Sequence, residues 1–232
     1  MEFNPAYTGV RPDILNLIPP SIGHVLDVGC STGILGKQIK SISESIEIIG
    51  IEINNSMARI AEKHIDKVIT ADIEQIRLSD YFQPSYFDCI ICADILEHLR
   101  DPWQILKQLT EYVKRDGVII ASIPNIRHFS SLYNLLFKGY WPYRDRGIHD
   151  RTHLRFFTKK NIIDLFQGAG LNIDRMIANY RIIEKPHPYN DHSHLFALPF
   201  LKDFLTFQYL VVGKRQDSFK TQNHWAKNIP LL

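Results

Sequence analysis

Seven short apolar runs alternate along this chain with segments in which apolar residues recur at helical spacing, separated by polar, glycine- or proline-bearing turns. Runs at 25–28, 48–53, 67–72, 87–93, 118–124, 171–178 and 204–212 are too short for buried helices and too continuous for half-exposed strands. They predict strands of a sheet covered on both faces. Between them, Ile34, Leu35 and Ile39 mark one helix, residues 55–63 a second, and Ile105, Leu106, Leu109 and Val113 a third. Asp101 is an N-cap for that third helix, with Pro102 at its first position. Leu132, Leu135 and Leu136 carry the period through 129–137, and Ile162, Ile163, Leu165 and Phe166 carry it behind a Thr158 cap as far as Gly168 and Gly170. The alternation predicts a doubly wound α/β sheet of about seven strands with helices on both faces.

The first strand breaks into Asp27-Val28-Gly29-Cys30-Ser31-Thr32-Gly33, a sharp strand-to-helix turn of the kind that lets a ligand approach the backbone. A pyrophosphate would require bare amides there, whereas the Asp27 carboxylate repels phosphate and attracts a cation. The glycines fall at 29, 33 and 36, which fits the GxGxxG spacing of a dinucleotide dehydrogenase badly. The second strand ends in Glu52, about 20 residues on, where nucleotide-binding sheets carry an acid for the ribose hydroxyls. The third ends in Asp72, which can cap a short helix over 73–78.

Composition narrows the classes. The chain has 232 residues and a net charge of +2, with 22% charged residues, which gives no strong basic field and does not favour nucleic acid as a partner. No apolar run approaches membrane-spanning length and the N-terminus has no signal-peptide pattern, so a cytoplasmic location is expected. Three cysteines argue against a disulfide framework. Cys89 and Cys92 lie three apart on a strand, on opposite faces, so they read as buried thiols. No metal ligands are assigned. His187, His192, His194 and Asp191 are suitable ligand types, but their loop has no recognisable metal spacing.

The segment 27–33 resembles the first motif of the class I S-adenosylmethionine-dependent methyltransferases, with Ser31 where the family often has glycine, and the resemblance continues to about Leu171. It implies a Rossmann-like, mostly parallel seven-stranded sheet with an antiparallel last strand and S-adenosylmethionine as cofactor. The implied cofactor contacts are Asp27, Gly29, Gly33, Glu52, Ile53, Asp72, Ile73 and Asp94. Asp94 to Pro102, with its Glu97-His98 pair, and the string 150–158 resemble segments of members acting on small molecules and glycan precursors. One methyltransferase domain would then span 1–215, with an N-terminal arm at 1–20 offering Tyr7 and Arg11, a lid at 125–157 and a tail at 216–232. His149 or His153 is the expected general base, with Arg155 orienting the acceptor. For Glu97 and His98 the alternative is to hold the loop together through backbone hydrogen bonds.

The expected reaction is O-methylation of a sugar, glycan precursor or other small molecule. N-methylation of a small amine and a non-catalytic, cofactor-binding assembly role stay open. Lys138, Arg144, Arg146, Arg151, Arg155, Lys159 and Lys160 against Asp145 and Asp150 make the lid attractive to an anionic acceptor, unless they form only a solvated surface. The expected partners are thus a small acceptor, with neither nucleic acid nor a membrane span, and self-association into a homo-oligomer is left open.

Overall fold

The computed structural model describes residues 9–181, 190 and 201–216. Tyr7, the histidine-bearing loop at 185–194 except Asn190, and the tail beyond 216 lie outside those residues.

The apolar runs form one seven-stranded sheet in the order β3-β2-β1-β4-β5-β7-β6. Its strands are β1 (His24–Val28), β2 (Glu47–Glu52), β3 (Lys67–Thr70), β4 (Phe87–Ala93), β5 (Val113–Pro124), β6 (Leu171–Tyr180) and β7 (Thr206–Arg215). The strands β1 to β5 pair in parallel, and β7 lies antiparallel between β5 and β6. The fold is therefore the Rossmann-like, mostly parallel sheet with an antiparallel last strand that the sequence predicts.

Period-two alternation divides the sheet residues between two cores. Leu26, Ile90 and Cys92 join α4 (Pro102–Tyr112) and α6 (Lys159–Gly168) through Leu106, Leu109, Ile162 and Phe166. Val25, Cys89 and Ile91 join α1 (Pro12–Leu15) and α2 (Ile34–Ile42) through Ile14, Leu35 and Ile39. Cys89 and Cys92 thus point into opposite layers and cannot share a ligand. Both are fully buried, which raises their thiol pKa well above the usual value. The remaining helices are α3 (Asn55–Ala61), α5 (Phe129–Lys138) and α7 (Lys202–Leu205).

Several boundaries differ from the pattern. The third strand stops at Thr70, and 73–75 form a turn rather than the start of a helix, with Asp72 capping that turn by accepting from the Glu74 amide at 3.0 Å and from Gln75 Nε2 at 3.0 Å. Val113 belongs to β5, not to the helix stripe, and the Asp116-Gly117 pair, a common turn sequence, is extended strand. The register of β4 against β5 shifts between Phe87 and Cys89, and a Cβ at Gly117 would lie 2.8 Å from the Asp88 carbonyl. Glycine there admits the close approach of an irregular strand pair. In the last part of the chain, residues 202–205 turn as α7 before β7 begins. Helix α5 packs little: Ser131 is its buried residue, whereas Leu135, Leu136 and Phe137 are exposed. Among the described residues no helix is long and apolar enough to cross a membrane.

The turn after β1 is set by packing beneath it. A Cβ at Gly50 would fall 2.4 Å from Cys30 Sγ and 2.7 Å from Ile65 Cδ1. Gly50→Ala is therefore expected to destabilise the protein by ~1–3 kcal/mol through overpacking, read as a lower urea midpoint at unchanged slope.

Candidate active site

The carboxyl ends of β1 and β2 bring the first two acids together. After β1 the chain turns through Gly29 at φ 75°, Ser31 at φ 50° and Gly33 at φ 73°. Glycine is needed twice: a Cβ at Gly29 would press on Ile95 at 3.1 Å, and one at Gly33 on the Ala61 backbone at 3.0 Å. Ser31, where the family often has glycine, takes a left-handed conformation, and its amide donates to Glu52 Oε2 at 2.8 Å. The Asn54 amide donates to Glu52 Oε1 at 2.8 Å, and the Asn54 side chain caps α3 by accepting from the Ser56 and Met57 amides. Glu52 is thus 7% exposed, with each oxygen held by one amide and retaining a lone pair.

Asp27 is 3% exposed, and its carboxylate accepts no hydrogen bond from the described residues. Burial, and then the Glu52 carboxylate, push its carboxyl up to about 7, with Arg11 pulling the other way. A buried carboxylate held so close to neutrality is a place for positive charge. That fits an adenosine cofactor bearing a cationic group beside the Gly29 turn. Asp72 follows β3 and caps the next turn, Ile73 is packed in the core, and Ile53 is half exposed beyond Glu52.

Asp94 follows β4 at φ 54° and is fully engaged. Its Oδ1 accepts from Ser122 Oγ at 3.0 Å and from Gln208 Nε2, and its Oδ2 forms an ion pair with Arg11 Nη1. Arg11 also holds Asp13 at 3.0 Å; against the cost of burial, Asp94 and Asp13 keep the guanidinium firmly protonated. The described part of the N-terminal arm therefore closes on the end of β4 through one charged side chain. Sequence reasoning missed Ser122 and Gln208. Their signal was present, since each is a polar residue inside an otherwise apolar strand run, and both are buried.

The two candidate histidines part company. His149 is fully enclosed within the 125–157 segment: its Nε2 lies 3.1 Å from Ser131 Oγ, and its ring meets Trp141 edge-on, which in turn meets Phe156. His153 faces the sheet. Its Nδ1 lies 3.2 Å from the Ile148 carbonyl, its Nε2 lies 3.9 Å from Glu97 Oε1, and its ring meets that of His98 at 4.7 Å. Burial, then repulsion by His98, pushes His153 down to about 4, so its ring is neutral near pH 7. Arg155 reaches back to the Arg100 carbonyl and over the Trp103 ring, while still lining a small cavity with Glu97, His153, Ile148 and Phe156. Among the lid charges, Arg151 pairs with Asp145 and Lys138 lies over the Tyr133 ring.

Glu97 holds the loop through its backbone carbonyl, which accepts from the Leu154 and Arg155 amides. His98 does so through its side chain, with Nδ1 3.3 Å from the Thr152 carbonyl. The Glu97 carboxylate does not. It is 1% exposed, neither oxygen has a hydrogen-bond partner among the described residues, and burial, then Asp94, push its carboxyl well above the usual range.

An antiparallel strand inserted next to the last in a parallel sheet, with acids at the turn after its first strand, is the arrangement of the class I S-adenosylmethionine-dependent methyltransferases. The chain belongs to the methyltransferase domain family, whose model matches residues 8–175, and it uses S-adenosylmethionine as its cofactor. It is 27% identical over 179 residues to a ubiquinone biosynthesis O-methyltransferase of Nitrosomonas europaea, covering 73% of this chain and 74% of that one. Its fold is similar to a SAM-dependent methyltransferase from Archaeoglobus fulgidus, with a TM-score of 0.63 at 19% identity, covering 91% of this chain and 97% of that one. It is also similar to magnesium protoporphyrin IX methyltransferase from Synechocystis, solved with bound SAM, with a TM-score of 0.52 at 14% identity over 88% and 74% of the two chains.

The Asp27 environment has a thermodynamic consequence. A carboxyl raised from its unfolded value of about 4 to about 7 stabilises the fold fully below pH 4 and loses that contribution as pH rises to 7. A shift of this size is worth at most ~4 kcal/mol. Asp27→Asn is therefore expected to gain thermal stability relative to the parent as pH is raised from 5 to 8 in ligand-free protein. A stability difference independent of pH in calorimetric scans would contradict the assignment.

Proposed function

We propose that this methyltransferase alkylates the hydroxyl oxygen of a small, ring-bearing acceptor held between the carboxyl edge of the sheet and the 125–157 lid. The observation that carries this reading is the buried pairing of Glu97 with His153, on a cavity whose other walls include Pro124, Ile126, Ile148, Phe156 and Phe157. The mostly apolar lining, with Arg155 beside the Glu97–His153 pair, favours a largely apolar acceptor over a sugar, whose several hydroxyls would each need a partner. The similarity to an O-methyltransferase of ubiquinone biosynthesis supports the same acceptor atom.

S-adenosylmethionine supplies a methyl group on a sulfonium, already joined to its leaving group. The chain's task is then to align the acceptor with that methyl, an effect worth up to ~7–11 kcal/mol in favourable cases, and to deal with the acceptor's proton. In this reading Glu52 receives the ribose hydroxyls on its spare lone pairs, Asp72 receives the adenine amine, and Asp27 balances the cofactor's positive charge beside Gly29 and Gly33. Asp94, tied to Arg11, Ser122 and Gln208, fixes the loop between the cofactor and Glu97. The Glu97–His98–His153 cluster is the centre that lowers the cost of removing the hydroxyl proton, and His149 is part of the lid's packing.

Purified protein supplied with S-adenosylmethionine and a panel of ortho-diphenols, nucleotide sugars and small amines is expected to release S-adenosylhomocysteine with the diphenols. Glu97→Gln should lower kcat by about a hundredfold or more, the range of a lost proton-handling group. Turnover confined to sugars or amines would overturn the acceptor assignment. Independently, Glu52→Ala is expected to weaken S-adenosylmethionine binding at least tenfold, ~1.4 kcal/mol, by calorimetry.

A further inference from the structure

We propose that Asp27 lets this enzyme tell its cofactor from the spent product by charge. S-adenosylmethionine, whose sulfur is cationic, binds together with the ionised carboxylate; S-adenosylhomocysteine, whose sulfur is neutral, gains little from that ionisation. The affinity ratio of the two ligands therefore rises with pH. This rests on the cofactor sitting at the turn after β1, as proposed above.

The side chain is confined. Asp27 pairs with Gly50 of β2 on one side and with Ile91 of β4 on the other, so its backbone has no freedom to carry the carboxylate out of the sheet. Alternation puts it on the same face as Val25, the face that α1 and α2 cover. It is 3% exposed, and no described residue donates a hydrogen bond to it. Glu52 differs in this respect, since the Ser31 and Asn54 amides each donate to one of its oxygens. The unserved carboxylate at the turn is that of Asp27.

The charges around it leave room for one more cation. Glu52 from β2 acts on Asp27 with the same sign, and Arg11 from the arm with the opposite sign. Arg11 does not complete the site, because its guanidinium is bound to Asp13 and Asp94. The thiols of Cys30 in the turn and of Cys89 and Cys92 on β4 also feel the Asp27 charge, but burial keeps them protonated. Two buried carboxylates facing one committed guanidinium are short of positive charge. The sulfonium of the cofactor carries such a charge and the thioether of the product does not.

The sign of the pH effect follows. With its carboxyl pushed up to about 7, Asp27 is partly protonated in the ligand-free protein near neutrality. A cationic ligand selects the ionised form, so its binding releases a proton and weakens as pH falls below 7. If cofactor binding lowers the Asp27 carboxyl by about one unit, the affinity ratio changes about fivefold between pH 6 and 8. Both ligands bear the same amino and carboxylate groups, whose own titration cancels in the ratio.

The test is calorimetric titration of the full chain with each ligand at pH 6, 7 and 8. The Kd of S-adenosylhomocysteine divided by that of S-adenosylmethionine is expected to rise about fivefold or more across this range. At pH 7, titration in buffers of different ionisation heat should show more proton release with S-adenosylmethionine than with S-adenosylhomocysteine. Asp27→Asn should flatten the ratio while still binding S-adenosylhomocysteine, which shows that the variant is folded. Arg11→Met should move the rise to higher pH, because the cation that lowers the Asp27 carboxyl is gone; a purely structural role for the arm would weaken both ligands without moving it. A ratio constant with pH in the parent, or a rise that persists unchanged in Asp27→Asn, would overturn the charge discrimination and leave the cofactor placement standing. Binding of neither ligand at any of these pH values would overturn the placement itself.

Discussion

Burying negative charge at one edge of a parallel sheet is the constraint on which the other features depend. Asp27, Glu52, Asp94 and Glu97 all follow or end the central strands, and Asp27, Glu52 and Glu97 are buried below a tenth exposure. Each must find compensation or wait for a ligand to supply it. Glu52 takes two backbone amides, and this requires the left-handed turn at Gly29, Ser31 and Gly33 that brings the Ser31 amide back over the strand. Asp94 takes Arg11, Ser122 and Gln208, from three separate parts of the chain. The antiparallel placement of β7 beside β5 sets Gln208 opposite Pro124, at the carboxyl end of β5, where its side chain reaches Asp94.

The segment 125–157 follows a different rule. Helix α5 exposes Leu136 and Phe137 and buries little, yet the chain beyond it returns to the sheet through a compact polar and aromatic unit. His149 packs edge-on to Trp141, Trp141 packs edge-on to Phe156, and the Arg144 and Asp150 segments bridge. The carbonyl of Ile148, the residue before His149, lies 3.2 Å from His153 Nδ1 and anchors the second ring. A neutral imidazole that gains a proton only near pH 4 is a weak proton acceptor at neutral pH.

Much of the fold was legible because continuous apolar runs between amphipathic segments leave few alternatives to a doubly wound sheet. The same pattern located Asp27 and Glu52, since both stand at strand ends. It could not see the extension of β5 back to Val113, where register irregularity around Gly117 and Phe87 overrode the turn chemistry of an Asp-Gly pair. Nor could it separate His149 from His153, four residues apart in one loop, because their roles follow from which ring the Trp141 side chain covers. Ser122 and Gln208 were readable in principle as polar residues in apolar strands, but their shared partner, Asp94, is 28 residues from one and 114 from the other. Glu97 was visible as an acid next to a histidine. That its carboxylate would be buried and unpartnered is a property of the returning lid, which no local pattern records.

Arg11 connects the two unsatisfied carboxylates. Its charge acts on both Asp27 and Glu97, lowering the pKa of each, although its hydrogen bonds go to Asp13 and Asp94. One guanidinium on the short helix-bearing arm thus supplies part of the counter-charge for the cofactor end and for the acceptor end of the cleft. Burial is the larger effect at both carboxyls, so Arg11 offsets only part of the cost of placing them there.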